Sequence, residues 1–378
     1  MTRPPAYILP VVVAAQFAGG TVWFAGNAVL PQLQAHLGFD GGLGAITGAT
    51  QLGFIVGTAL MALSGLADRF EARAVFLFSA VIAAASNTGV LWATDRESLI
   101  ALRFVVGLAL AGVYPVGMKA VAGWYQGGLG RALGFLVGAL VLGTAFPHLV
   151  GSALPWRWTL VTVSALALAG GLAMWLAVPD GPFVEPSRFD IRAIPRLLRI
   201  RAFRGAALGY FGHMWELYTL WAFVPVLIAS REALPVSTWS FVVIAVGTLG
   251  CVGGGLLAPR FGSARVAAVQ LAISGACCLA LPWARHLPDG LFLAFLLVWG
   301  VAVVGDSPQY SSVNARSAPP ELVGTGLAFV TSVGFGLTVI SISLAERFAD
   351  VHVGLAALAI GPLLGLWGLR QTRARGGG

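Results

Sequence analysis

Glu216 stands near the middle of an apolar run covering residues 205–229, with His213 three positions before it. On a helix those two positions share a face. A carboxylate at that depth in hydrocarbon is costly to ionise, and such residues usually face a cavity and do work there. The spacing makes Glu216 a candidate for carrying a proton, with His213 as its partner or as a donor to a substrate. The plain alternative is a pair that only locks its helix. Asp306 falls in a second run, 290–311, and is followed by Pro308, Gln309, Tyr310 and Asn314. A proline there frees a backbone carbonyl that can line a cavity. Asp306 therefore joins Glu216 and His213 as a proton-coupling candidate, and Gln309 and Tyr310 are read as substrate contacts.

Around Glu216 lie Tyr210, Trp215, Tyr218 and Trp221. Rings with polar tips suit a wall that binds amphipathic solutes; packing against lipid is their other use. Arg103, near one end of the run 98–118, is read as an anion contact or proton-relay partner, against a snorkelling arginine at the interface. Tyr114, before Pro115 in the same run, is a further substrate candidate. So is Asn27, although Asn27, Gln16 and His148 are residue types that often serve as helix–helix hydrogen bonders.

These residues need elements that hold them inside a bilayer. The chain has 378 residues, 58% hydrophobic and 10% charged. A soluble domain carries roughly 25% charged residues, so lipid is the natural solvent for most of this chain. A spanning helix needs about 20 apolar residues. Twelve such runs are present: 8–29, 44–66, 74–93, 98–118, 130–151, 157–178, 205–229, 238–258, 264–283, 290–311, 323–345 and 352–369. With the N-terminus inside, 17 of the 23 lysines and arginines fall on the cytoplasmic side. That bias predicts cytoplasmic N- and C-termini and an even number of spans. It also accounts for the net charge of +8 without nucleic acid. The hydrophilic stretch 179–204 carries six arginines and divides the chain into bundles at 1–178 and 205–378. Within it, Ile191–Ile200 reads equally as a basic amphipathic helix or an irregular linker.

Cys251, Cys277 and Cys278 lie in apolar stretches and read as small buried hydrophobes. Neither a P-loop, nor H-E-x-x-H, nor a repeated Cys/His cluster is present. The expectation is no catalytic site, no metal and no cofactor.

The halves repeat weakly. Leu30-Pro31 matches Val224-Pro225, Asp68-Arg69-Phe70 matches Pro259-Arg260-Phe261, and Gly130-Arg131-Ala132-Leu133 matches Gly324-Thr325-Gly326-Leu327. Gly65-Leu-Ala-Asp68-Arg69-Phe-Glu-Ala-Arg73 resembles the loop motif between spans 2 and 3 of the major facilitator superfamily. Arg103-Phe-Val-Val-Gly107 resembles that family's R-x-x-x-G motif in span 4, and Trp156-Arg157-Trp158 is similar to the W-R-W often opening span 6. The region from Tyr114 to Gly134 loosely resembles bacterial anion and organic-acid permeases; the nitrate-porter signature is missing, and the drug-antiporter element is only echoed.

The resemblance implies an all-α fold of twelve transmembrane helices in two pseudo-symmetric bundles. It implies a cavity lined by spans 1, 4, 7 and 10, which hold most of the polar residues listed above. It also implies a cytoplasmic gate at Asp68, Arg69 and Arg73, and glycine-rich sliding faces on spans 2, 5, 8 and 11. The expected function is alternating-access transport of a small organic solute across a bacterial inner membrane, coupled to protons, by a monomer. Two alternatives stay open: a drug or metabolite antiporter working outward, and a non-transporting membrane sensor or assembly factor on the same fold.

Overall fold

The apolar runs all become helix. In the computed structural model the described residues are 4–125, 128–183 and 190–372, with the side chains of Ala67, Asp68, Gln371 and Thr372 left aside. Among them there is no strand. The main helices are α1 (Ile8–Gly20), α2 (Leu43–Ser64), α3 (Ala72–Trp92), α4 (Arg96–Trp124), α5 (Leu129–Ala153), α6 (Trp156–Ala177), α7 (Arg201–Ala229), α8 (Val236–Phe261), α9 (Ser263–Ala284), α10 (Asp289–Ser317), α11 (Pro320–Ala345) and α12 (Val351–Arg370).

Ten of these are long and apolar enough to cross a membrane; α1 and α7 are not among the ten. Helix α7 has 29 residues, about 43 Å at the helical rise, but it carries Arg201, Arg204, His213 and Glu216. The run 8–29, expected as one span, is broken. It stops after Gly20, turns through Thr21–Phe24, and resumes as short helices Ala25–Ala28 and Leu30–Leu37. The β-branched Thr21-Val22 and aromatic Trp23-Phe24 lose rotamer freedom in a helix. Thr21 Oγ1 also donates to the carbonyls of Ala18 (2.7 Å) and Val163 (3.1 Å).

Helices α4 and α10 each contain one interruption. The first falls at Ala111–Val113 before Tyr114-Pro115, the second at Asp306 before Pro308. Proline removes an amide donor and crowds the preceding turn, so both sites yield a local break rather than an end. The segment Ile191–Ile200 forms a short 3₁₀ turn, Ile191–Ala193, and one helix, Ile194–Arg199. Its Leu197 is fully buried while Ile191 is largely exposed.

The chain divides into two compact units: Met1–Pro186 with Pro235–Ala245, and Ser187–Leu234 with Val246–Gly378. In the first, α1 packs on α6 and α5, α2 on α4, and α3 on α6 and α4; the start of α8 lies along α5. In the second, α7 packs on α12 and α11, α8 on α10, and α9 on α12 and α10. The pairing scheme of one unit is thus the scheme of the other, shifted by six helices. This is the structural form of the weak sequence repeat.

Glycines set the closest of these approaches. A Cβ on Gly107 of α4 would come 1.9 Å from the Thr50 carbonyl oxygen, and one on Gly53 of α2 would come 2.0 Å from that of Phe104. In the second unit a Cβ on Gly250 of α8 would come 2.1 Å from the Val301 carbonyl oxygen of α10. Such contacts replace a hydrophobic driving force in lipid. Gly107→Ala forces backbones apart, and an overpacking cost of about 1–3 kcal/mol is expected. Gly253→Ala, which meets open space, is the control. Melting curves in detergent should show a marked fall for the first and little change for the second; equal curves would show that the α2–α4 contact is not stability-limiting.

At the start of α12, Asp350 accepts from the His352 backbone amide (2.9 Å) and from Arg285 Nη1 (2.5 Å). Together these hold its carboxyl at about 2, below the usual carboxylate range.

Candidate functional site

Three helices of the second unit converge on a buried polar cluster. His213 and Glu216 come from α7, Asp306 and Tyr310 from the break in α10, and Ser274 and Cys278 from α9. His213, Glu216 and Tyr310 are fully buried, and Asp306 is 1% exposed. His213 Nδ1 lies 2.8 Å from Asp306 Oδ1. Cys278 Sγ donates to Glu216 Oε2 at 3.1 Å. Ser274 Oγ, which accepts from Trp299 Nε1 (3.1 Å), stands beside the same carboxylate.

The local sequence explains the convergence. Positions 213 and 216 share one face of α7, as their spacing requires. Pro308 interrupts α10, so Asp306 closes one helical segment and opens the next. Gly209 lets Tyr310 approach, since a Cβ there would meet Tyr310 Cε1 at 2.6 Å. The Tyr310 ring lies 5.6 Å from the imidazole of His213 and 6.2 Å from the ring of Tyr210.

Several polar atoms of this cluster have no hydrogen-bond partner among the described residues: His213 Nε2, Glu216 Oε1, Asp306 Oδ2 and Tyr310 Oη. Buried polar atoms are normally satisfied. Four unmatched atoms on neighbouring side chains leave places for protons or for a polar ligand.

The expected pairing of His213 with Glu216 is corrected. The imidazole meets Asp306, and Glu216 takes a thiol donor instead. The two carboxylates are nonetheless close enough for their charges to interact.

Arg103, in the first unit, is fully buried rather than snorkelling. Its Nη1 donates to Asn87 Oδ1 (3.0 Å), and its Nη2 to the carbonyl of Val22 (3.0 Å) and to that of Trp23. These carbonyls are released where α1 breaks. A Cβ on Gly26 would lie 3.1 Å from Arg103 Nε, so glycine leaves room for the guanidinium. Nε has no partner among the described residues.

The remaining candidates are dispersed. Asn27 Nδ2 donates to Thr47 Oγ1 (2.7 Å), a bond between the short helix Ala25–Ala28 and α2. Tyr114 lies edge-on to Trp23, with ring centroids 6.5 Å apart. Trp215 packs on Gly361 of α12, away from the α7 face that meets α10. Tyr218 contacts the rings of Trp221 (5.3 Å) and Phe335 (5.2 Å), so it faces α11. Gln309 is buried and directs Nε2 at Gly254 of α8.

Of the gate candidates, the Asp68 side chain lies outside the described residues. Arg69 is exposed at the end of a four-residue helix, Leu66–Arg69. Arg73 Nε pairs with Glu71 at 2.6 Å. Asp180, in the hydrophilic stretch 179–204, accepts from the Ala72 amide (3.1 Å) and so caps α3.

Cys278 and Ser274 were missed as polar partners because a cysteine or serine in an apolar run reads as filler. Asn87 was missed although its amide is of the same helix-bridging type as that of Asn27. The signal available was spacing: Ser274 and Cys278 are four residues apart and so share a helix face.

The family model described as Major Facilitator Superfamily matches residues 12–342. A chloramphenicol resistance protein of Streptomyces lividans is 29% identical over 286 residues, covering 72% of this chain and 69% of that protein. The inner membrane metabolite transport protein YgcS of Escherichia coli (strain K12) is 26% identical over 338 residues, covering 77% of this chain and 72% of that one. The solved structure of the proton:xylose symporter XylE bound to 6-bromo-6-deoxy-D-glucose superposes with a TM-score of 0.73 at 14% identity, over 95% of this chain and 94% of that one.

Proposed function

Because the chain belongs to the Major Facilitator Superfamily, we propose that it is a proton-coupled secondary transporter of a small organic solute, working by alternating access, with Glu216, His213 and Asp306 as its proton-carrying group. The observation that carries this reading is the buried pair of His213 and Asp306 at 2.8 Å, with Glu216 one turn away on the same helix. One imidazole stands against two carboxylates, and among the described residues neither carboxylate pairs with a lysine or arginine. The cluster is electrically neutral only with two protons bound. A transporter gains from such a place, because a proton taken there changes the net charge in a low-dielectric interior, where charge is costly.

The same reading takes twelve spans, counting the broken first helix and α7, with both termini cytoplasmic in a bacterial inner membrane, and a single chain as the working unit. Bundles at 1–178 and 205–378 are joined by the basic stretch 179–204. Asp68, Arg69 and Arg73 are assigned to gating, while Arg103, Asn27, Tyr114, Trp215, Tyr218, Trp221, Gln309 and Tyr310 remain the substrate-side set. Within that set the unmatched hydroxyl of Tyr310 has the strongest support.

Outward transport is a second reading, favoured by the relative named for chloramphenicol resistance. One experiment addresses both. Membrane vesicles containing the protein are loaded with a pH-sensitive dye and challenged with a panel of small solutes, chloramphenicol among them. Internal acidification on external solute addition to neutral-start vesicles marks symport. Alkalinisation with solute entering against outgoing protons marks antiport. Solute flux with no proton movement, unchanged by a protonophore, would overturn proton coupling.

A further inference from the structure

A pocket of about 440 Å³ lies in the second unit where α7 begins and α12 ends. It is lined by Arg201, Arg204, Arg370 and Trp367. All three arginines are exposed, and none of them pairs with a carboxylate among the described residues. Arg204 Nη1 donates to the Leu198 carbonyl (3.2 Å). Elsewhere in this unit Arg196 lies 3.7 Å from Glu321, and the half-buried Arg231 and Arg285 lie 2.9 Å from Asp289 and 2.5 Å from Asp350. Three uncompensated guanidinium groups around one hollow make a fork-shaped donor set suited to phosphate oxygens.

The fourth wall says where the phosphate comes from. Trp367 is 58% exposed, and Leu363 and Ile360 on the same face of α12 are 58% and 54% exposed. Positions 360, 363 and 367 follow helical spacing and run from the pocket along the membrane-spanning part of α12. Tryptophan is enriched at the membrane interface, with apolar residues below it in the hydrocarbon. A charged hollow continued by an apolar stripe matches a headgroup continued by an acyl chain.

The geometry points to a binding site for an anionic glycerophospholipid, its phosphate held by Arg201, Arg204 and Arg370 and its acyl chain laid along Trp367, Leu363 and Ile360. The site stands apart from the proton-carrying cluster and does not depend on the transport reading. Its occupant is a lipid of net negative charge, such as phosphatidylglycerol, rather than a soluble phosphate.

The test uses the full-length protein in neutral detergent and a fluorescent-tailed phosphatidylglycerol followed by anisotropy. Losing three near-surface positive charges is expected to weaken binding by roughly a hundredfold. The variant R201Q/R204Q/R370Q should show that loss while keeping its melting temperature in the same detergent. The control R192Q/R196Q/R199Q, which removes three arginines of the neighbouring Ile191–Ile200 segment, should stay within threefold of wild type. Millimolar glycerol phosphate should fail to displace the lipid. An unaffected pocket variant would overturn the site. Equal losses in both triple variants would reduce it to general surface charge. Displacement by glycerol phosphate at the lipid's own affinity would overturn the lipid as occupant.

Discussion

Glu216→Gln abolishes solute accumulation driven by a proton gradient. With one proton coupled per solute, a gradient of two pH units sustains about a hundredfold solute gradient, since each unit is worth 1.36 kcal/mol. In the variant the solute only equilibrates, and the ratio falls to one. The substitution is chosen to spare the fold. The glutamine carbonyl still accepts from the Cys278 thiol, as Glu216 Oε2 does at 3.1 Å, and a neutral amide adds no buried charge. Exchange of labelled solute without a gradient therefore survives, which separates loss of coupling from loss of protein. Asp306→Asn acts on the other arm of the cluster by removing the carboxylate that stands 2.8 Å from His213, so that Glu216 alone remains to carry negative charge. A Glu216→Gln protein that still accumulates solute a hundredfold would remove Glu216 from the proton path.

Arg103→Met strongly destabilises the first unit. The methionine fills much of the volume but donates nothing to Asn87 Oδ1 or to the carbonyls of Val22 and Trp23. Hydrogen bonds to a charged group contribute about 1.5–3 kcal/mol each, and a buried acceptor left unmade costs about 1–3. Because the acceptors form one network, the losses overlap; a total of roughly 3–5 kcal/mol is expected, below the sum for three unmade acceptors. The readout is the melting temperature in detergent together with the yield of folded protein. Arg103→Lys retains one strong donor and should recover part of the loss. A methionine variant as stable as wild type would mean that the carbonyls at the break find other donors.

The sequence made the helices visible because composition against lipid is a coarse signal, and runs of twenty apolar residues are hard to produce otherwise. It made Glu216, His213 and Asp306 visible for the converse reason: a titratable group in such a run has few uses. What it concealed were the partners. His213 and Glu216 share a face of α7, yet the imidazole turns to Asp306, a choice set by the packing of α7 against α10. Cys278 carries no mark that separates a thiol donor from a small filler. Arg103 has carbonyl acceptors only because α1 stops at Gly20, and neither the break nor the bond is legible without the other. Aromatic residues were grouped by proximity in sequence, but a single helical step rotates a side chain by about 100°. Trp215, one position from Glu216, accordingly lands on Gly361 of α12.

The break in the first helix bears on how the chain enters the bilayer. Helix α1 has 13 residues, about 20 Å of helix, against a hydrocarbon core of about 30 Å. Alone it is a poor stop for a translocating chain. The residue that sews up its open end sits on the fourth helix, which itself must bring a guanidinium into hydrocarbon. The first segment is the weak insertion signal; the fourth is long and apolar enough to cross a membrane and supplies the donor that the first lacks. The expected consequence is an insertion of this half in concert: the first segment stays beside the translocon until the fourth emerges, and the two enter lipid as a pair.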